Sequence, residues 1–115
     1  MKFKLNPNPT FEAAISLTVP GQAEPVSVRF TFAHMGRKAL QAWMDEPVKA
    51  KAAGQDLADF DAPWLGKAVQ GWHADDIAEP FTADNFARLL EQYPSSGTDL
   101  YVGFVRALTE SRAKN

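Results

Sequence analysis

Only two histidines, His34 and His73, could act as bases near neutral pH in this chain. His73 lies close in sequence to Asp75, Asp76 and Glu79, a grouping that could suggest a metal site. One imidazole and three loop carboxylates lack a recognised ligand spacing, and adjacent aspartate side chains diverge, which is poor geometry for acid-base catalysis. Both histidines are therefore expected to have structural or solvated roles, and no metal or cofactor is predicted.

The chain also lacks the motifs of common catalytic and nucleotide-binding sites. It contains no cysteine, which excludes disulfides, thiol nucleophiles and zinc-thiolate sites. No serine lies in a Gly-x-Ser-x-Gly pattern, and the pairs Pro20-Gly21 and Ser96-Gly97 are typical of ordinary turns rather than of phosphate-binding loops. We therefore predict that the protein is not an enzyme.

The composition indicates a single folded domain spanning residues 1–115. Hydrophobic residues make up 45% of the chain, a share that argues against disorder. No apolar run approaches the roughly 18 residues of a membrane span, and the first residues lack the apolar stretch of a signal peptide, so a cytoplasmic location is expected. The formal net charge of -2 disfavours non-specific binding of nucleic acid.

Acidic residues are concentrated between Asp56 and Glu79, where Lys67 is the single basic residue. The expected role of this acidic segment is a solvated surface that aids solubility. A docking surface for a basic partner is the alternative.

Two segments near the start of the chain alternate apolar and polar residues, the pattern of half-buried strands. They are Phe11–Val19 and Val26–Phe32, and the turn-forming residues 20–25 join them. This arrangement predicts a hairpin with one apolar face, which helices must cover because two strands alone are marginal in water. Uncovered edges of the hairpin are expected to invite pairing with another chain.

Apolar residues take up helical spacing after the hairpin. The first predicted helix, residues 35–46, is expected to end at Pro47, because proline cannot donate a helical hydrogen bond. Residues 48–55 could continue it as a frayed extension or form a loop. A second helix is predicted with Asp61 as its N-cap and a proline in its first turn, ending around Trp72-His73.

The third predicted helix has the clearest boundaries. Thr82 is placed to cap it, and Asp84 lies in the first turn, near the positive end of the helix dipole. Phe81 and Phe86 have the spacing of a hydrophobic staple around that cap. Pro94 marks the end of the helix.

A fourth helix is predicted after the turn at residues 95–98, with Ser96 or Thr98 as its cap. Residues 111–115 would bring two cations to its negative end. Its apolar stripe would contain Leu100 or Tyr101, Phe104, Val105 and Leu108. The order of elements, an N-terminal β-hairpin followed by about four α-helices, predicts an α+β fold.

Several short motifs occur in an order typical of one protein family. They are Ala39–Trp43 in the first helix, Val69–Trp72, Pro80–Phe86 with its Phe-Thr-x-x-Asn pattern, and the terminal Lys114-Asn115. In this order and spacing the chain resembles the small tail assembly chaperones of siphovirus-like bacteriophages and prophages. Val48–Ala62 fits the pattern less well and is interpreted as a local insertion.

The resemblance implies a protein that binds other proteins inside the host bacterial cytoplasm. Members of this family coat the long, helical tape measure protein before the tail tube forms, keep it soluble and help to recruit tail tube subunits. They are absent from the finished virion. Many copies on one polymer would bind it more tightly through avidity than each copy would alone. Self-association into a ring or filament through head-to-tail contacts is also expected.

Two surfaces are candidates for partner binding. One is the last helix, with Tyr101, Phe104, Val105 and Leu108, although a core role is the alternative for each of them. The other is the start of the chain, where Phe3 and Leu5 could add to the sheet edge of a neighbouring subunit or form a frayed terminus.

Two other functions are compatible with the sequence. One is a structural tail component that stays in the virion, such as a terminator or connector ring protein. The other is a small prophage-encoded regulator of a host protein, which the acidic segment would also suit.

Overall fold

The computed structural model describes residues 2–110, which form a three-stranded antiparallel sheet with helices packed on one face. The predicted α+β fold, a hairpin followed by four helices within those residues, is confirmed. The predicted cationic tail at residues 111–115 lies outside the described part of the chain. The elements are β1 (Thr10–Leu17), β2 (Val26–Ala33), α1 (Arg37–Ala52), α2 (Leu57–Leu65), β3 (Val69–Trp72), α3 (Ala83–Gln92) and α4 (Ser96–Thr109).

The predicted hairpin is formed by β1 and β2, which pair along their whole length. Thr10 lies opposite Ala33 and Leu17 lies opposite Val26, with no break in between. Gly21 makes the connecting turn with a φ of 84°, a conformation that residues with a side chain rarely adopt. Because side chains alternate along a strand, most apolar ones face the helices and the polar ones face water.

The prediction of a helix running to Trp72 is wrong, because Val69–Trp72 is a strand that pairs with β2. Val69 lies opposite Phe32, and Trp72 lies opposite Phe30. Gln70 is an extra residue in this pairing, a bulge that turns two apolar side chains three positions apart toward the same face. The bulge therefore reproduces in a strand the spacing that usually indicates a helix.

The first helix does not end at Pro47, as predicted, but continues to Ala52. Proline has no N–H to donate to the carbonyl of Trp43, four residues earlier. The indole Nε1–H of Trp64 donates to that carbonyl instead, at 2.8 Å, and the indole of Trp43 donates to the Trp64 carbonyl at 3.0 Å. The two indole rings stack with centroids 4.4 Å apart. This reciprocal pair joins α1 to α2 and compensates for the proline.

The segment that was ambiguous in sequence, residues 48–55, contains the end of α1 and a turn at Gly54, where φ is 79°. The predicted cap of the second helix, Asp61, is wrong. Asp56 caps α2, since its carboxylate accepts the backbone N–H of Ala58 at 3.0 Å. Asp61 lies within the helix, where partial burial raises the pKa of its carboxyl.

The third helix begins as predicted, with the Thr82 hydroxyl accepting the backbone N–H of Asn85 at 3.0 Å. The rings of Phe81 and Phe86 lie 5.7 Å apart, which confirms the hydrophobic staple. The predicted caps of the last helix are wrong, because Ser96 and Thr98 both lie inside α4. The buried Ser96 hydroxyl instead donates to the Tyr93 carbonyl at 2.7 Å, which satisfies an acceptor where α3 ends.

Candidate functional site

A groove of about 620 Å³ lies between the far end of the hairpin, the segment after β3, and α3. We call its larger apolar lining residues on the strands, α3 and the intervening loop the floor: Leu17, Val26, Val28, Ile77, Leu89 and Tyr93. We call its polar and charged lining residues, apart from the paired Asp76, the rim: Gln22, Glu79, Asn85, Arg88 and Gln92. We call this surface the groove.

The hairpin and α3 place the floor residues. Strand alternation directs Leu17 and Val28 inward, and both are buried. Val26 begins β2, outside the part of that strand that pairs with β3, and is 42% exposed. Leu89 lies on α3, and Tyr93 follows the helix as its C-cap residue, where its backbone N–H donates to the Leu89 carbonyl at 3.1 Å. The floor therefore combines buried and accessible apolar surface.

An ion pair fixes the wall that follows β3. The guanidinium of Arg29 donates to both carboxylate oxygens of Asp76, at 2.9 and 3.0 Å, and the backbone N–H of Arg29 donates to the same group at 2.9 Å. The side-chain hydrogen bonds from Arg29 are the main reason that the pKa of Asp76 is lowered to about 2. Asp76 stays ionised near neutral pH, and the ion pair positions the neighbouring Ile77 in the groove.

Two further hydrogen bonds hold the rest of this wall. The indole of Trp72 donates to the carbonyl of Glu79 at 2.8 Å. The side-chain amide of Asn85 donates to the carbonyl of Pro80, also at 2.8 Å. The loop between β3 and α3 is thereby joined to the sheet at one end and to the helix at the other. The groove is a shaped surface before any partner binds.

Neither histidine lines the groove; His34 is exposed, and the Nδ1 atom of His73 accepts the backbone N–H of Asp75 at 3.2 Å. Among residues 2–110, no three His, Asp or Glu side chains lie close enough to hold a metal ion. Within that same range, no helix has the length and apolar character to cross a bilayer.

Most of the predicted partner-binding residues on α4 contact the core. Phe104 is 1% exposed, with its ring 5.1 Å from that of Phe32, so its assignment to a binding surface is corrected to a core role. The ring of Tyr101 stacks on the indole of Trp43 at 5.7 Å and lies tilted against that of Trp64 at 5.6 Å. Val105 and Leu108 are partly buried against the core. The stripe packs against the core, the alternative that the sequence analysis left open, and a partner-binding role for the three partly buried residues stays a prediction.

The remaining predicted residues, Phe3 and Leu5, are 93% and 92% exposed at the start of the chain. They are not brought together with the α4 stripe or with the groove. Sequence reasoning missed the groove, although Ile77 gave one signal, as an isolated large apolar residue within an acidic segment. Val26 gave a second, as the outermost apolar residue of its strand.

A family model described as phage tail assembly chaperone matches residues 1–115, the whole chain. No curated protein and no solved structure matches it. The chain belongs to this family of phage tail assembly chaperones.

Proposed function

We propose that this chaperone binds the tape measure protein of its phage and that the groove receives apolar side chains of that protein. The observation that carries the proposal is the groove itself, an accessible apolar floor within a polar rim. A long helical protein without its tube exposes an apolar stripe, which is prone to aggregation. Side chains at positions i, i+3 and i+4 of a helix can enter a groove of this kind.

The rim suits a partner whose sequence varies along its length. Gln22, Asn85 and Gln92 provide neutral amides, and Glu79 and Arg88 provide one charge of each sign. Such a rim can pair with many different polar residues, so binding depends mainly on the spacing of apolar side chains. Each contact can then be weak, while many copies on one tape measure protein bind tightly together.

Weak individual contacts also suit a chaperone that is later displaced. We infer that the protein acts in the host cytoplasm, that it helps to recruit tail tube subunits, and that tube assembly removes it. It has no catalytic role in this proposal. Family membership supports these inferences. Its gene is expected to lie between a tail tube gene and a long tape measure gene.

Co-expression with the tape measure protein tests the proposal. The native chain is expected to keep the tape measure protein in the soluble fraction. Val26→Asp and Tyr93→Asp place a charge in the groove and should abolish this effect. Val102→Asp on α4 is the matched control, because Val102 is 38% exposed and does not line the groove. Equal protection by all three variants, each shown to be folded by circular dichroism, would contradict the proposal.

Mass spectrometry of purified virions separates this function from the two alternatives. An assembly chaperone should be missing from the particles, whereas a terminator or connector protein should be present in a fixed number of copies. A regulator of a host protein should instead dominate a pull-down from host lysate with one host partner.

A further inference from the structure

The two edges of the sheet differ in how well they are protected. The edge formed by β3 is four residues long and contains a bulge, features that discourage pairing with another strand. The edge formed by β1 is eight residues long and pairs with β2 without irregularity. It contains no proline and one charged residue, Glu12. Among residues 2–110, β1 thus offers the more regular template for an added strand.

The β1 edge is bounded by a contact just beyond its far end and lies beside a crevice along its first half. Immediately after the strand, the backbone N–H of Thr18 donates to the carboxylate of Asp99 on α4, at 2.8 Å. Beside the first half of the strand lies a crevice of about 360 Å³ between β1 and α4. Four apolar residues and two glutamates line it: Phe11, Ala13, Ala14 and Ala107, with Glu12 and Glu110. The first half of the edge thus offers backbone groups, apolar surface and negative charge together.

The segment Lys2–Pro9, which we call the N-terminal arm, has the complementary pattern. Phe3 and Leu5 are two residues apart, so in a strand they point to one face, while Lys2 and Lys4 point to the other. Two prolines, at positions 7 and 9, favour an extended backbone. The Pro9 carbonyl accepts the backbone N–H of His34 at 2.9 Å, which fixes the point where the arm leaves the sheet. The apolar side chains of the arm are almost fully exposed.

We propose that Lys2–Leu5 of one copy adds as a fourth strand to the β1 edge of a second copy. Phe3 and Leu5 then enter the crevice between β1 and α4, and the two lysines lie on the opposite face of the sheet, on the side of Glu12. Main-chain hydrogen bonds provide the pairing, and the alternation of apolar and basic residues provides the register.

The arm and the edge are different surfaces of the same molecule, so the contact between copies is head-to-tail. Contacts of this type propagate into a ring or a filament, which is the geometry needed to coat a long polymer. A four-residue strand buries little surface, so free copies associate weakly. The inference rests on the proposed function only for what the contact is used for. The contact itself can form between purified copies without the tape measure protein.

Mixing two complementary variants tests the contact directly. Phe3→Ser with Leu5→Ser removes the apolar side of the arm, and Glu12→Lys reverses the charge on the face of β1 that the lysines of the arm would meet. Analytical ultracentrifugation should show concentration-dependent association of the native chain and at least ~10-fold weaker association of each variant alone. An equimolar mixture of the two variants should form one-to-one dimers and nothing larger, because it contains one intact arm and one intact edge per pair. Glu24→Lys, in the hairpin turn, is the charge-matched control.

Several results would overturn the inference. They are a native chain that stays monomeric at millimolar concentration, an arm variant that associates like the native chain, or a mixture that forms no dimers. Protection from hydrogen exchange of the outward-facing β1 amides, those not bonded to β2, that is independent of protein concentration would also overturn it, since the arm would then bind its own sheet. Binding of one tape measure segment should survive in both variants, so failure of the groove proposal is seen separately.

Discussion

Replacing Trp64 by phenylalanine should destabilise the protein more than the same change at Trp43. Both side chains are buried, at 7% and 2% exposure, and both variants lose a similar part of the indole ring. They differ in the acceptor that is left behind. In Trp43→Phe, the Trp64 carbonyl still accepts the backbone N–H of Lys67 at 3.2 Å. In Trp64→Phe, the Trp43 carbonyl loses its indole donor, and Pro47 has no N–H to replace it.

The expected difference follows from the cost of a buried, unsatisfied acceptor, about 1–3 kcal/mol. We expect Trp64→Phe to be less stable than Trp43→Phe by about 1–2 kcal/mol, or a few degrees in melting temperature for a domain of this size. Pro47→Ala restores an N–H at position 47. It should therefore recover about 1 kcal/mol more in the Trp64→Phe background than in the native chain.

Urea unfolding followed by far-ultraviolet circular dichroism is the assay, because tryptophan fluorescence changes with the substitutions themselves. The four chains that combine Trp64→Phe with Pro47→Ala form a double-mutant cycle, and Trp43→Phe is the matched control. Equal losses in Trp43→Phe and Trp64→Phe, together with no coupling to Pro47→Ala, would refute the reasoning.

Two further predictions concern the ion pair and a close contact in the core. Because the pKa of Asp76 is lowered to about 2, the stability from its pair with Arg29 is present above about pH 4 and lost as pH falls toward 2. The difference in unfolding free energy between the native chain and Asp76→Asn, measured by urea titration, should therefore close over that window. A difference that stays constant with pH would count against the pair. Asp75→Asn, whose carboxylate is 78% exposed and 4.0 Å from the guanidinium, should change little. Gly103→Ala should destabilise the protein by about 1 kcal/mol, although alanine has the better helix propensity, because the added Cβ would lie 2.5 Å from the Cδ1 atom of Ile15. A rise in melting temperature would contradict this prediction.

Local signals made part of this fold predictable from the sequence. The hairpin follows from alternation over eight residues in each strand, and the start of α3 follows from Thr82 and its flanking phenylalanines. These patterns report on backbone geometry within one element, so no information from distant residues is needed.

Other elements depend on contacts between distant residues. The continuation of α1 past Pro47 depends on an indole 21 residues from its acceptor, and β3 depends on a bulge that becomes visible only in its pairing with β2. The groove combines three separate segments whose residues, such as Leu17 and Leu89, look like ordinary core in sequence. Whether Phe104 faced a partner or the core was also a question of packing rather than of pattern.

The most direct test of the account is a map of where the tape measure protein binds. Methyl NMR spectra of the chaperone can be recorded during titration with overlapping helical peptides that cover the tape measure protein. The account predicts shifts for Val26, Ile77 and Leu89 in the groove, while Val48 and Val102, which lie outside it, stay unchanged. Saturating peptides that leave the three groove signals unmoved, or that shift only residues elsewhere, would contradict the central claim.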